Sequence, residues 1–448
     1  MGGIFEKYTK SRSQRRTKTV KLQALVLSLC LWSLGPAVSL GEEAATTPAA
    51  LSAAAVKAYQ QKDYIRFLAN EKQALELQPS NPRFLYNVAC GESLTGHSTE
   101  AIKLLNQLVD RKLDLGAETD DDFAGIRKTP EWSAFVSRLA ELRKPIVRSE
   151  IAFKLSDPTL MAIGIAVDRQ DGDTYIASIR ERKIVRRTKT GHVSDFVREG
   201  QDGFLAGASL AIDGGRHLLF ASSSAVPFMR GYREEEKGKS GLFVFDLKTG
   251  KLQRKAFLPV DGKLHFLNAV VVDHDGNAYV SDSGTPGIYR LGRNGTELEE
   301  FVGAGVFTST QGLAFADDEK TMYVVDYSDG LWALDMASKK RRLVEGPPDV
   351  WLGGLDGLSR VGNGFIAVQI GVRPERVLRL DLSGQGQRIS AVTVLEMNHP
   401  EYDGPIQGAV DGQAFIYIAN SQLRLGNGDT GAYAEEKARP TVVLRLPF

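Results

Sequence analysis

The fold is decided by residues 265–289, which read HFLNAVVVDHDGNAYVSDSGTPGIY. Small and β-branched residues follow Asn268, and an Asp275-Gly276 turn separates them from a second alternating run, Ala278 to Ser281. Asp-Gly between two alternating apolar runs predicts a hairpin, because glycine adopts the positive φ that a tight turn requires. A single hairpin of this kind fits any β-sheet, so its recurrence along the chain is what matters.

The same pattern recurs five more times, at a spacing of roughly 40 to 60 residues, which is typical of propellers and repeat arrays. A third strand and a short fourth strand follow most of the units. Four antiparallel strands per repeat form the blade of a β-propeller. The five further units are Met161–Ser178, Ala208–Ser223, Gln311–Asp326, Asp356–Gln369 and Gln407–Asn420.

The last unit has no fourth strand of its own before Phe448, whereas an unassigned strand, Glu150 to Leu155, precedes the first unit. Pairing of this strand with the last blade would close the ring by joining the two ends of the domain. The sequence therefore predicts a mainly β chain, with a six-bladed β-propeller over residues 146–448.

Residues 1–41 have the layout of a secretory signal peptide: a basic segment, an apolar stretch from Ala24 to Leu34 and small residues at the predicted cleavage site. This stretch is shorter than the roughly 20 apolar residues of a membrane-spanning helix. We expect a secreted or periplasmic protein. The alternative is an uncleaved leader that anchors the chain to a membrane.

Residues 42–50 are rich in alanine and threonine and are predicted to be a linker, and residues 51–145 switch to a helical period. This second segment resembles the tetratricopeptide repeat, whose 34-residue period separates Phe67 from Ala101. The resemblance implies either a groove for a peptide or protein partner or a short helical cap packed on the propeller. Further matching positions are Ala74, Pro79, Leu85, Val88, Ala89, Gly96, Leu105 and Leu108.

The formal charge is close to balanced, with 56 Lys and Arg against 55 Asp and Glu. This balance gives no reason to expect a nucleic-acid partner.

Alignment of the six units on their first strands predicts a ring of equivalent positions around one mouth of the central channel. Four of the six side chains carry oxygen, and oxygen ligands suit a hard cation such as calcium or magnesium. They would equally hold the hydroxyls of a small polar molecule. The alternative is that they only satisfy backbone groups at blade junctions. The six positions are Ile163, Ala208, Asn268, Gln311, Asp356 and Gln407.

Asn268, Gln311-Gly312 and Asp356-Gly357, with the strands that follow them, resemble the gluconolactonase and senescence-marker-protein (regucalcin-like) family. Propellers of the NHL and strictosidine-synthase-like groups share the pattern. The resemblance implies a divalent cation, with calcium first, and hydrolysis of a lactone. Asp356 and Asn268 match family site positions, Gln311 stands where the family has Asn, and Ile163 stands where it has a metal-binding Glu.

From the resemblance we expect Asp356, Gln311 and Asn268 to hold the metal, and Asp356 to be catalytic. Asn268 and Gln407 would contact the substrate. Two long loops, residues 226–241 and 421–440, would overhang the same face, either as lids or as solvated insertions. The first would add Arg230 and Tyr232 to the substrate contacts.

Two functions remain open on the sequence. One is an exported, metal-dependent hydrolase of a lactone or similar small polar molecule. The other is a non-catalytic propeller that binds a ligand or a protein partner, because a fold this widely reused does not decide function.

Overall fold

The strands form six sheets of four strands each, as the repeat pattern predicts. The computed structural model describes residues 47–448, apart from the side chain of Gln385, so the predicted leader lies outside the described residues. Blades one to five are β2–β5, β6–β9, β10–β13, β14–β17 and β18–β21, and blade six is β22–β24 with β1. Within residues 47–448, a six-bladed β-propeller is preceded by five α-helices.

The first three blades use strands of four to eight residues. Their bounds, with β1, are β1 Glu150–Leu155, β2 Ala162–Val167, β3 Thr174–Ser178, β4 Ile184–Arg187, β5 Val193–Val197, β6 Ala206–Asp213, β7 Leu218–Ser224, β8 Ser240–Asp246, β9 Leu252–Phe257, β10 Leu267–Val272, β11 Ala278–Asp282, β12 Gly287–Leu291 and β13 Leu298–Val302.

The last three blades follow the same plan. Their strands are β14 Thr310–Phe315, β15 Thr321–Asp326, β16 Gly330–Asp335, β17 Arg341–Leu343, β18 Leu355–Val361, β19 Gly364–Gln369, β20 Arg376–Leu382, β21 Ile389–Met397, β22 Gly408–Asp411, β23 Ala414–Ile418 and β24 Thr441–Pro447.

The predicted hairpin between β10 and β11 is confirmed. Gly276 has φ 87°, and its N–H donates to the Asp273 carbonyl at 2.9 Å. A side chain at this position would be strained, which explains the Asp-Gly pair.

The ring closes as the sequence predicts. β1 pairs antiparallel with β24, placing Glu150 opposite Arg445 and Leu155 opposite Thr441. Leu155 is 3% exposed and lies in an apolar cluster with residues of blades one and six. Strand pairing and side-chain burial therefore both hold the two ends of the propeller together.

The helices are α1 Pro48–Gln60, α2 Tyr64–Leu77, α3 Pro82–Leu94, α4 Ser98–Asp110 and α5 Pro130–Leu142. Helix α1 begins at Pro48, within the predicted linker of residues 42–50. The linker prediction is therefore wrong for residues 48–50. Thr47 caps the Ala50 N–H, and Pro48 takes the first turn, where no N–H is needed. Helices α3 and α5 also begin with a capping side chain followed by proline, Asn81-Pro82 and Thr129-Pro130 respectively.

Helices α1 to α4 form two hairpins, in which Phe67 and Ala101 are each the fourth residue of the second helix and are buried. This arrangement agrees with the predicted repeat spacing. No helix in residues 47–448 has both the length and the apolar character needed to cross a bilayer.

The helical region docks on blade five. Ile146 and Met397 exchange backbone hydrogen bonds, and Val372 and Met397 join the buried core of the helices. Buried Glu396 accepts hydrogen bonds from the backbone N–H groups of Arg148 and Ser149, both at 3.0 Å. The connection to the propeller is therefore held by apolar packing and by a satisfied buried carboxylate.

Ring closure yields a test with a control in the same strand. Leu155→Ala should lower the free energy of unfolding by about 2–5 kcal/mol, the range for a buried leucine. Ile151→Ala should cost well under about 1 kcal/mol, because Ile151 is 47% exposed. Urea unfolding followed by tryptophan fluorescence measures both, and equal losses would contradict a closing role for β1.

Candidate functional site at the channel mouth

The inner strands of the six blades, β2, β6, β10, β14, β18 and β22, pack side by side around the channel. Their approach is close: a Cβ on Gly312 would lie 2.7 Å from the carbonyl oxygen of Asp356 on the next strand. Only glycine fits there, which explains the Gln311-Gly312 pair. The aligned positions therefore lie on neighbouring strands, as the sequence predicts.

Three of the predicted ring residues form a chain of amides. Gln407 Nε2 donates to Asn268 Oδ1 at 2.8 Å, and Asn268 Nδ2 donates to Gln311 Oε1. Asn268 and Gln311 are buried, and Gln407 is half-buried. Side chains from blades three, four and six thus meet at the mouth.

Serine hydroxyls from the second strands position these residues. Ser222 Oγ donates to the Asn268 carbonyl at 2.9 Å, and Ser281 Oγ donates to the Gln311 carbonyl at 2.7 Å. Each hydroxyl also accepts a backbone N–H from its own blade. The sequence analysis missed these residues, although serine recurs where the second strands end, as in LFASSS and YVSDS.

Polar residues at the ends of the second strands in blades three to five, and two residues beyond the end in blade six, brace the loops at the same mouth. Asp282 Oδ1, for example, accepts the backbone N–H groups of Phe266 at 3.0 Å and Gly284 at 2.9 Å. Their hydrogen-bonding capacity is used within the fold, so we assign them a structural role. The four residues are Asp282, Asp326, Gln369 and Asn420.

Asp356 differs from these braces. It is 7% exposed, and its Oδ1 is buried without a hydrogen-bond partner among the described residues. Burial raises the pKa of this carboxyl to about 7. An unsatisfied buried carboxyl is costly to the fold, and such groups concentrate at functional sites.

The two long loops pack together over one side of the mouth. Val226, Phe228 and Met229 of the first loop share a buried apolar cluster with Ile163 and Ile406. Leu423 and Tyr433 of the second loop pack against the same cluster. Ile163, which stands where the resembled family has a carboxylate, therefore lies in an apolar setting formed by the loops.

Arg180, which follows β3, links the two loops. Its guanidinium carbon lies 3.9 Å from the centre of the Tyr433 ring, and its Nη2 lies 3.2 Å from Glu435 Oε2. Its Nη1 donates to the Phe228 carbonyl at 3.1 Å. Arg180 thus joins the two loops, residues 226–241 and 421–440, which together we call the lid.

The predicted substrate contacts in the first loop have partners within the chain. Arg230 makes a two-pronged pair with Glu181, at 2.7 and 3.0 Å. Tyr232 donates to Glu234 at 3.0 Å, and its pKa is raised to about 12 by burial and by that carboxylate. The role of both residues toward a ligand stays a prediction.

Trp351 connects the helical region to the site. Its ring packs against the helical core, and its carbonyl accepts a hydrogen bond from Gln369 Nε2 at 2.9 Å. It lies five residues before Asp356 in the sequence. The helices therefore contact the segment that leads into the Asp356 strand.

A second group of potential metal ligands, among the described residues, lies inside the helical region. Ligand atoms of Cys90, Asp120 and Asp122 come within 4.8 Å of one another. Tyr59 donates to Asp122 at 2.7 Å and Tyr86 to Asp120 at 2.6 Å. These bonds hold the loop before α5 against α1 and α3, so packing accounts for the cluster.

No protein-family model matches the sequence, and no curated protein matches it. Solved structures do resemble the fold. A luciferin-regenerating enzyme superposes with a TM-score of 0.48 at 14% identity, over 68% of this chain and 96% of that one. The calcium-binding protein regucalcin from Agrobacterium tumefaciens gives 0.46 at 16% identity, over 66% and 93%.

A gluconolactonase from Xanthomonas campestris gives a TM-score of 0.44 at 16% identity, over 69% of this chain and 93% of that one. The structural neighbours thus include regucalcin and gluconolactonase propellers. Similarity at this level bears on the fold alone.

The raised pKa of Asp356 predicts a pH-dependent stability. The unfolded carboxyl ionises near its usual pKa of 3.8, while the folded one keeps its proton up to about 7. Folding stability therefore falls as pH rises between these values and levels off above them. Asp356→Asn should remove a penalty that reaches about 4 kcal/mol at pH 8, at about 1.4 kcal/mol per pKa unit.

Thermal unfolding of both proteins from pH 4 to pH 8 measures this effect. The Tm advantage of Asp356→Asn should grow across the range. The matched control is Asp411→Asn, at the far end of the blade-six inner strand, where the carboxylate is exposed. An advantage independent of pH would contradict a raised pKa at Asp356.

The lid predicts a local effect of Arg180→Met. Loss of a charge-assisted hydrogen bond costs about 1.5–3 kcal/mol, so amide hydrogen exchange in residues 226–241 and 421–440 should accelerate roughly tenfold or more. Arg233→Met is the control, because Arg233 lies in the first loop, is 70% exposed and pairs with Glu236. Unchanged exchange in both loops would show that Arg180 does not hold the lid.

Proposed function

We propose that the channel mouth is a small-molecule site with Asp356 as its reactive carboxyl, and that it supports cation-dependent hydrolysis of a lactone or similar ester. The observation that carries the proposal is the buried Asp356 Oδ1, which has no hydrogen-bond partner within residues 47–448. Asp282 and Asp326, at the ends of second strands, are instead satisfied by backbone N–H groups. A bound ligand would supply the partner that Asp356 lacks.

The residues fit a hard divalent cation, with calcium the first candidate. Asp356 offers a carboxylate, and Asn268 and Gln311 offer amide oxygens. Each of these two oxygens already accepts one hydrogen bond, but an amide oxygen has a second lone pair. With a single carboxylate in the set, we expect weak affinity, because affinity at oxygen sites rises with ligand charge.

Burial holds the pKa of Asp356 at about 7 while no cation is bound, and a bound cation would lower it. The ionised carboxylate would then be able to take a proton from an attacking water as a general base. A divalent cation, when bound, would polarise the carbonyl of the substrate. Asn268 and Gln407 would orient substrate hydroxyls through their amides.

The second candidate is a propeller that binds a polar ligand without turnover. Ile163 favours it, because this position carries no charge and packs among the lid residues. A site with one carboxylate has fewer groups to activate water and to stabilise a developing charge. Ligand binding with no hydrolysis of any ester would support this candidate.

Export and a protein partner for the helices are also part of the proposal. Export rests on the leader pattern in residues 1–41. A peptide partner would have to use helical surface outside the face of Tyr59 and Tyr86, because Asp120 and Asp122 of the same chain occupy that face. Membrane attachment would follow only from an uncleaved leader.

The test is calcium titration by isothermal calorimetry, followed by a panel of sugar and aliphatic lactones. We expect calcium binding and lactone turnover in the native protein and in Asp411→Asn, with both lost in Asp356→Ala. Binding without turnover would leave the second candidate. Equal behaviour of Asp356→Ala and the native protein would overturn a site at Asp356.

A further inference from the structure

An open cavity of about 520 Å³ lies at the opposite end of the propeller from Asp356. Its walls come from the turns that follow the inner strands of blades five and six, from the end of the blade-one inner strand, and from β20. No function proposed for the mouth uses this region. The residues that matter are Arg169, Arg360, Arg379, Val361, Val410 and Phe448.

Three guanidinium groups line the cavity, and each retains hydrogen-bond donors. Arg169 uses Nε and Nη2 on one acceptor, the Val410 carbonyl. Arg379 uses Nε on Asp381 at 2.8 Å. Arg360 pairs with Asp317 through Nε and Nη2, and its Nη1 is buried with no hydrogen-bond partner in the described part of the chain.

Two of the three arginines pair with a neighbouring carboxylate, Arg360 with Asp317 at 3.2 Å and Arg379 with Asp381 at 2.8 Å. Asp317 is 83% exposed and Asp381 is 38% exposed, so solvent screens both pairs. No Asp or Glu side chain is among the described residues that line the cavity. The cavity therefore combines three arginines, two of them in solvent-screened ion pairs, with no lining carboxylate side chain.

Apolar side chains complete the walls. Val361, Val410 and Phe448 lie beside the arginines. Guanidinium groups bind carboxylate and phosphate oxygens in paired geometry, and the volume exceeds that of a bare inorganic anion. The chemistry suits an oxyanion carried on a small organic body.

We propose that this cavity binds a small organic oxyanion, through Arg169, Arg360 and Arg379, at a site separate from the channel mouth. The oxyanion is a phosphate or a carboxylate, and the three arginines recognise what these groups share. The inference does not depend on catalysis at Asp356.

The experiment is calorimetric titration of the full-length protein with inorganic phosphate and with citrate, at constant ionic strength set with sodium chloride. We expect saturable binding of at least one probe. Arg379→Met and Arg169→Met should each weaken it roughly tenfold to a hundredfold, which corresponds to loss of one charge-assisted hydrogen bond. Phosphate binding alone would assign a phosphorylated ligand, and citrate binding alone a carboxylate.

Two controls keep the outcome decisive. Arg388→Met removes an exposed arginine that pairs at 3.7 Å with Glu345 away from the cavity, and it should bind as the native protein does. Asp356→Ala should also retain binding, which separates this proposal from the one for the mouth. No binding of either probe, or an equal loss in Arg388→Met, would overturn the proposal.

Discussion

The convergence of six inner strands around one axis is the constraint on which the rest of the structure depends. Neighbouring backbones come close at several junctions, where a glycine, as at Gly312, or a bridging hydroxyl, as at Ser222 and Ser281, joins one blade to the next. Because the inner strands are held side by side in this way, the side chains of Asn268, Gln311 and Gln407 meet at one mouth. The packing that closes the propeller therefore also builds the candidate site.

The polar groups at this mouth are of two kinds. Most form hydrogen bonds within the fold, whereas the Asp356 carboxyl is left unsatisfied by the described residues. Asp282, Asp326, Gln369 and Asn420 brace loops with nearly all their capacity, whereas Asp356 is buried and its Oδ1 has no partner among the residues that the structure describes. Local rules that hold through most of a chain tend to fail at functional sites, where stability is given up for chemistry. The contrast with polar residues that are equally buried at the same mouth is what makes Asp356 informative.

Much of this could be predicted from the sequence, because strand alternation recurs in all six units and an Asp-Gly pair marks the first turn in four of them. The closing strand Glu150–Leu155 and the ring positions followed from the same repeat. The start of α1 was missed because composition outweighed the Thr47-Pro48 cap signal. The Arg230–Glu181 pair and the apolar lid could not be predicted, since they join loops from different blades, and no periodicity reports such contacts.

The apolar residues of the lid explain why position 163 carries an isoleucine and not an acid. Ile163 is 3% exposed and belongs to an apolar cluster that includes lid residues, so an acid at this position would be buried without a polar partner in that cluster. The mouth is thus divided, with amides and one carboxyl on blades three to six and an apolar wall on blades one, two and six. A ligand that satisfied both halves would carry hydroxyl or carbonyl groups on one side and hydrocarbon on the other.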